Sequence, residues 1–371
     1  LDYDLNKKIS FAGPWITDKE INYVIDATKH GWYEKYDKDT KNLEKTIQEY
    51  LGVKYALATH CCTAALHLAC EALNLNENDE VICTDFSWVA TAYAIAYTKA
   101  KPVFVDIDEK TWCISPKAIK KAITKNTKAI MLVHSLGYPA KMDEIMKIAK
   151  KYNLHVIEDA APALGAEFND RKVGTFGEFG CFSFQGAKLT ASGEGGIIVT
   201  NNDDLFNRIC LLASMGRTDS KAVFWSDNLG YQYTIANLTA ALALAQVERV
   251  DELIEKKKYI YDCYQEELGK LDNIKFVTEY NNSKSVHCYP SILLGDGIAI
   301  SRDKIIQILE SKNIHCRPAF PRMSRFPVFE SRFQNPVAKN VESKGISLPS
   351  AANLDNVDIK FVCDSLKDII S

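Results

Sequence analysis

The sequence has 371 residues, 47% hydrophobic and 25% charged, with a formal net charge of −3. That balance excludes the concentrated basic surface of a nucleic-acid binder, and no apolar run approaches the roughly 20 residues that cross a bilayer. The N-terminal "LDYDLNKKIS" lacks the apolar core of a signal peptide, and eleven cysteines without a CxxC pair suit neither a disulfide scaffold nor a zinc ribbon. Buried thiols in a reducing, cytoplasmic setting are expected.

At this length one core gives way to two lobes. From about residue 55, short apolar runs alternate with helical patterns. Strands are predicted over 54–59 ("KYALAT"), 80–84 ("EVICT"), 101–108 ("KPVFVDID"), 128–135 ("KAIMLVHS") and 154–160 ("LHVIEDA"). Helices are predicted between them over 62–73, 88–98, 115–123 and 142–152. Continuous apolar strands separated by helices mark a parallel sheet buried on both faces. Two more strands, "CFSF" (181–184) and "GIIVT" (196–200), have no long helix between them, so local or antiparallel pairing is expected. One long helix is predicted from about Asn237 to Leu268, small and apolar at first, then more charged. Beyond it come strands near "IKFVT" and "CYPSILL", helices near "SRDKIIQILESK" and "VDIKFVCDSLKDII", and a proline-rich loop around 318–327. The fold class is α/β: a large, mainly parallel-sheet unit over 1–245 with an N-terminal arm, then a smaller α+β unit over 246–371.

In an open α/β sheet, ligands bind outside the carboxyl ends of the strands. Three candidate groups stand there. "LHVIED" ends in Glu158-Asp159, where a carboxylate either caps a helix or holds a cation in the crevice. "ALATHCCTAALHL" leads a strand through a polar turn into a helix whose first turn holds Cys62 and Thr63. Thr63 is a simple cap there, or the free amides and helix dipole bind an anion such as phosphate. "EVICTDFSW" brings Trp88 to a loop, as core or as a plate for a flat ring. A fourth stretch, "FSFQGAKLTASGEGG", sets Ser183 in a strand and Lys188 in a glycine-rich loop. Alone, Lys188 reads as a surface lysine. Together the four groups supply what pyridoxal phosphate needs: an imine-forming lysine, an acid for the pyridinium nitrogen, a phosphate site and ring packing. No metal site is indicated.

These stretches carry a resemblance to a known family. "CTAALHLACEALNLNENDEVI", "PVFVDID", "TKAIMLVHSLGYPAKMDEI", "VIEDAAPALGAEF", "GTFGEFGCFSFQGAKLTASGEGGIIVT" and "AALALAQVERVDELI" resemble the DegT/DnrJ/EryC1/StrS sugar aminotransferases over nearly the whole chain. The resemblance implies an aspartate aminotransferase-like fold and pyridoxal 5'-phosphate as cofactor, passing through its pyridoxamine form. It implies Lys188 as the Schiff-base lysine and Asp159 as partner of the pyridine nitrogen. Trp88 falls at the ring-stacking position, and Cys62, Thr63 and Ser183 around the phosphate. Pro162 stands where the family has a polar residue near the cofactor hydroxyl, and Leu136 replaces the tyrosine of "VHLYG". Family members are homodimers with shared active sites. The donating motif here is "GYQYTI" (230–235), with Gln232 from the partner subunit in place of asparagine and Thr234 in place of a basic residue.

The implied reaction moves an amino group from L-glutamate to the ketone of a nucleotide-linked keto-sugar, in surface-glycan or natural-product sugar synthesis. A small phosphorylated ketone such as a triose phosphate is the alternative acceptor, because Thr234 removes a cation. Trp15, Trp32, Tyr33, Arg217, Arg317, Arg322 and Arg325 are the candidate acceptor contacts, the last three in "CRPAFPRMSRFP", where clustered guanidiniums suit a phosphate. A pyridoxamine-dependent dehydratase is disfavoured by Lys188, and a non-catalytic regulator by the intact lysine–aspartate set. A dinucleotide site is disfavoured because "GEGG" precedes a strand instead of opening a helix.

Overall fold

The computed structural model describes residues 7–218 and 225–370. Its centre is a seven-stranded sheet built from β1 (Tyr55–Thr59), β2 (Glu80–Thr84), β3 (Lys101–Val105), β4 (Thr127–Val133), β5 (His155–Asp159), β6 (Phe179–Ser183) and β7 (Gly196–Thr200). The spatial order is β1-β7-β6-β5-β4-β2-β3. The block from β3 to β6 is parallel, while β6 and β7 pair antiparallel from Gly180↔Val199 to Ser183↔Gly196. β1 closes the far edge antiparallel to β7.

Helices cover both faces, which is why the strands read as unbroken apolar runs. Along the strands alternate side chains go to opposite cores, as the period of two requires. Val81, Cys83, Ile157 and Cys181 join one cluster; Ile82, Val156 and Phe182 join the other. The twelve helices among the described residues are α1 (Asp18–His30), α2 (Lys38–Leu51), α3 (Cys62–Ala72), α4 (Ala90–Tyr97), α5 (Pro116–Ala122), α6 (Met142–Tyr152), α7 (Asp203–Ala213), α8 (Asn237–Val247), α9 (Val250–Leu268), α10 (Arg302–Ser311), α11 (Pro336–Lys344) and α12 (Asn356–Ile370). α3 and α4 pack on the first face, and α2, α5, α6 and α8 on the second.

The single helix expected over 237–268 is two. α8 is buried on nearly every side, whereas α9 buries only the stripe Val250, Leu253, Lys257, Ile260, Tyr264 and Leu268. The break at Glu248–Arg249 turns the Arg249 guanidinium inward, onto Glu20 at 2.7 Å and the Trp15 carbonyl at 3.2 Å. α1 and α2 were not anticipated, although Thr17 and Glu20 spell a capping box, with Glu20 accepting from the Thr17 amide at 2.7 Å.

A second sheet of four antiparallel strands follows: β8 (Ile274–Phe276), β9 (Ser291–Leu294), β10 (Arg317–Pro318) and β11 (Gly345–Ser347), in the order β8-β9-β11-β10. α9, α10 and α12 pack on it around Ile260, Tyr264, Ile305 and Val362. The proline-rich loop expected at 318–327 opens as β10 and then turns back to the central sheet. Its Met323 joins the same cluster as Val81 and Ile157, and Ser324 is bonded to Asp85 just past β2.

Candidate active site

A cavity of about 760 Å³ opens at the carboxyl edge of the central sheet, beneath β10 and β11. This lies within the range of small-molecule sites. Its lining includes Cys62, Thr63, Trp88, Asp159, Pro162, Ser183, Lys188 and Arg317. The structure therefore brings every cofactor candidate except Gln232 into one space.

Each reaches it for a local reason. In β5 the adjacent acids Glu158 and Asp159 point to opposite faces. Glu158 is buried and accepts from the amides of Gly174 (2.7 Å), Phe176 (2.6 Å) and Gly177 (2.7 Å). The Ala140 amide donates to Nδ1 of His134 at 3.1 Å, so Nε2 carries the proton and donates to Glu158 at 3.0 Å. Glu158 is thus fully engaged in holding the 174–177 loop. Asp159 is only 4% exposed and has fewer partners. Thr91 donates to Oδ2 at 2.7 Å and the Ala161 amide to Oδ1 at 3.2 Å. Burial pushes its carboxyl above the usual range, against the Thr91 hydrogen bond and the positive charge of Lys188.

Lys188 follows β6 in a turn closed by its own amide on the Gln185 carbonyl. Among the described residues no carboxylate comes within ion-pair distance of Nζ, which lies 5.6 Å from the centre of the Tyr289 ring. Tyr289 is held by its hydroxyl on the Ala187 carbonyl at 3.0 Å and by stacking on Phe11. At the other wall α3 begins with Cys61 as an N-cap whose side chain makes no capping bond. The amides of Cys62 and Thr63 find no acceptor among the described residues, which leaves an anion site at the positive end of the helix. Gly196 permits this closeness: a Cβ there would come within 2.5 Å of the Cys62 amide. The Cys62 thiol is driven well up by burial, so Cys62 offers its amide and not a nucleophile.

These residues fit pyridoxal phosphate on grounds of structure alone. The buried acid has no cation bonded to it, the cavity amine is unpaired, and the α3 amides are free. Trp88 is 64% exposed at the cavity wall, a free aromatic face. The buried Oγ of Ser135, also in the lining, meets no hydrogen-bond partner of good geometry among the described residues. Leu136 beside it adopts φ 59°, a left-handed conformation rare for leucine and found where a site imposes strain.

The acceptor candidates divide. Arg317 lines the cavity. Arg322 and Arg325 do not; both bind Glu342, at 3.0 and 2.7 Å. That carboxylate, despite the opposing effect of burial, is held below its usual range by the two guanidiniums. The phosphate-binding cluster expected from "CRPAFPRMSRFP" is therefore an internal ion-pair triad, because α11 supplies an acid that the local sequence does not show. Trp15 packs under Arg249, 5.0 Å from its guanidinium. Trp32 donates to the Thr28 carbonyl, Tyr33 is 88% exposed, and Arg217 is exposed; none of the four lines the cavity. Gln232 is exposed and bonds Thr234 at 3.0 Å, on a segment lying across the end of β1 through Thr59↔Thr234. Thr91, Ser135, Tyr289 and Phe11 were not anticipated. Thr91 falls in the first turn of α4 three residues after Trp88, which was a readable signal. Phe11 and Tyr289 are brought in from distant sequence and gave none.

Residues 14–367 match the DegT/DnrJ/EryC1/StrS aminotransferase family. The chain belongs to this family. It is an aminotransferase, and pyridoxal phosphate is its cofactor. The chain is 36% identical to the GDP-perosamine synthase of Escherichia coli O157:H7 over 98% of its length and 99% of that protein. It is 30% identical to the spore coat polysaccharide biosynthesis protein SpsC of Bacillus subtilis (strain 168), covering 98% of each. Among solved structures it resembles Helicobacter pylori PseC, an aminotransferase in pseudoaminic acid biosynthesis, with a TM-score of 0.91, 25% identity and coverage of 98% and 99%. No helix among the described residues is long and apolar enough to cross a membrane.

Proposed function

We propose that this aminotransferase moves the amino group of L-glutamate onto the ketone of a nucleotide-linked keto-sugar. The observation that carries the chemistry is the unpaired Lys188 amine sharing one cavity with the buried Asp159 carboxylate. Full-length similarity to a synthase named for a GDP-linked amino sugar supports the acceptor class. When bound, pyridoxal phosphate supplies an electron sink and a carrier for the amino group.

The residues have distinct tasks. Asp159 holds the proton on the ring nitrogen, with Thr91 fixing the carboxylate's orientation. The α3 amides, with Thr63 and Ser183, take the phosphate, and Trp88 covers the ring. Lys188 is the amine that would hold the cofactor, and its release would free Nζ for proton transfer. Once freed, Nζ would take the proton from the donor's Cα and in the return half-reaction deliver one to the acceptor's former keto carbon. Two copies of the chain pair, and the exposed Gln232 serves the neighbouring copy's site. The unit 1–245 carries the cofactor, while 246–371 supplies the wall with Arg317 and Tyr289.

The Glu342 triad takes two guanidiniums from either phosphate-bearing acceptor, so it is the similarity to a sugar-nucleotide synthase that favours the keto-sugar. The test loads the pyridoxamine form and screens GDP- and TDP-linked 4-keto-sugars and dihydroxyacetone phosphate for loss of its absorbance. A response to a nucleotide keto-sugar is expected; a response to dihydroxyacetone phosphate alone would replace this reading. Lys188→Ala should lose essentially all turnover.

A further inference from the structure

Four charged side chains line the cavity: Asp159, Lys188, Glu194 and Arg317. On the proposed reading, the cofactor engages two of them, Asp159 and Lys188. Its phosphate is taken by the amides at the start of α3 with Thr63 and Ser183, none of them a charged side chain. That leaves Arg317 as the one cation of the described chain facing a substrate in this space, since no histidine joins the lining.

Its surroundings keep it available. Arg322 and Arg325, five and eight residues on, are neutralised by Glu342. Arg317 makes no ion pair with any described carboxylate, Glu194 included, and its side chain is exposed. The backbone, by contrast, is fixed. Arg317 pairs with Ser347 in β10–β11, Pro318 follows, and the Ser347 hydroxyl is bonded to Ser291 at 2.7 Å. A guanidinium on a rigid strand with a free fork suits bidentate capture of a planar or tetrahedral oxyanion. Both partners of the proposed reaction carry such groups: the donor's carboxylates and the acceptor's diphosphate. Pro318, Ala319 and Phe320 make the adjoining wall apolar, so these neighbours offer no side-chain acceptor to compete for the guanidinium.

We infer that Arg317 is the substrate-anion anchor of this site, holding a carboxylate or phosphate oxyanion while the reacting carbon lies at Lys188. The inference rests on the proposed aminotransfer. It predicts a specificity-determining contact separate from the cofactor, so its loss moves KM and leaves the loaded cofactor intact.

The experiment compares wild type with Arg317→Gln and Arg317→Lys as purified holoenzymes. The glutamate half-reaction is followed by the loss of cofactor absorbance, and GDP binding is measured by calorimetry. A roughly 10- to 100-fold weakening of one ligand in Arg317→Gln is expected, with the other ligand and the cofactor spectrum unchanged. Arg317→Lys should recover part of the loss. Weakening toward glutamate identifies the anchored group as a donor carboxylate, and weakening toward GDP as the diphosphate. Both affinities within twofold of wild type in Arg317→Gln would overturn the assignment. If that variant loses cofactor, Arg317→Lys alone decides: loaded and unaltered for both ligands, it overturns the anchor as well. A wild type inert to glutamate would refute the donor and leave the GDP arm to judge Arg317.

Discussion

Asp159 and Asp85 stand at matching places, one ending β5 and the other directly after β2, and both are buried. Burial raises both carboxyls above the usual range. They differ in who answers them. Asp85 receives the Ser324 amide at 2.7 Å, the Ser324 hydroxyl at 2.8 Å and the Asn335 amide group at 2.8 Å. All three come from the segment that returns from the second sheet. Asp106, after β3, likewise caps α11 through the Val337 and Ala338 amides at 3.2 and 2.9 Å. Asp159 has one short donor, Thr91, and an open side toward the cavity. A strand-end carboxylate is read by its donors: where the chain satisfies it the acid is a clamp, and where the chain leaves it short the acid awaits a ligand.

Asp159→Asn should separate the two roles most sharply. It keeps the shape and removes the charge that holds the ring nitrogen protonated. Turnover should fall about 10²- to 10³-fold with the far-ultraviolet circular dichroism unchanged. A loss under tenfold would erase the contrast.

Asp85→Ala should do the reverse. It strands the Ser324 and Asn335 donors in the interior, at a cost of about 3 kcal/mol, read as a lower urea midpoint. Turnover per folded molecule should change little. If activity falls while stability holds, Asp85 belongs to the site and not to the clamp.

The parallel block, its crossover helices and the antiparallel β6–β7 pair were all legible, because each leaves a local period in the sequence. So were Lys188, Asp159, Cys62, Thr63, Trp88, Pro162 and Ser183 as residues of one place. What was hidden depends on distant pairing. Nothing near Arg322 shows that Glu342 will neutralise it, and nothing near Asn237 shows that Arg249 will turn inward to Glu20 and break the helix. Glu158 and Asp159 look alike in "VIED"; only the 174–177 loop, folded back onto one of them, tells the clamp from the ligand-binding acid.

Lys257 extends the same logic to a base. It is buried on α9, yet its ammonium meets neutral oxygens only: the Cys288 carbonyl at 3.2 Å, the Ser350 hydroxyl at 3.1 Å and the Ser350 carbonyl. Cys288 precedes Tyr289, so the amine braces the wall beside Lys188. Lys257→Met should cost about 1–2 kcal/mol near neutral pH. Burial lowers the folded pKa below 10.5. Between that lowered value and 10.5 the unfolded chain binds more protons, so this group's contribution to stability rises with pH. The wild-type-minus-variant difference in urea midpoint should therefore widen as pH climbs toward 10.5. A difference flat with pH would mean the amine titrates normally.

The smallest effect belongs to Arg325. Its guanidinium is largely exposed and touches only one oxygen of Glu342, while Arg322 holds the other and also donates to the Gln334 carbonyl at 3.2 Å. Exposed ion pairs contribute about 0–1 kcal/mol, and Arg322 remains to keep Glu342 charged. Arg325→Ala should therefore shift the urea midpoint by less than about 1 kcal/mol of stability and leave both substrate affinities untouched. Set beside Arg317→Gln this distinguishes a guanidinium already answered by the fold from one that is not. A change in GDP or glutamate affinity in Arg325→Ala would show that the triad opens toward the substrate after all.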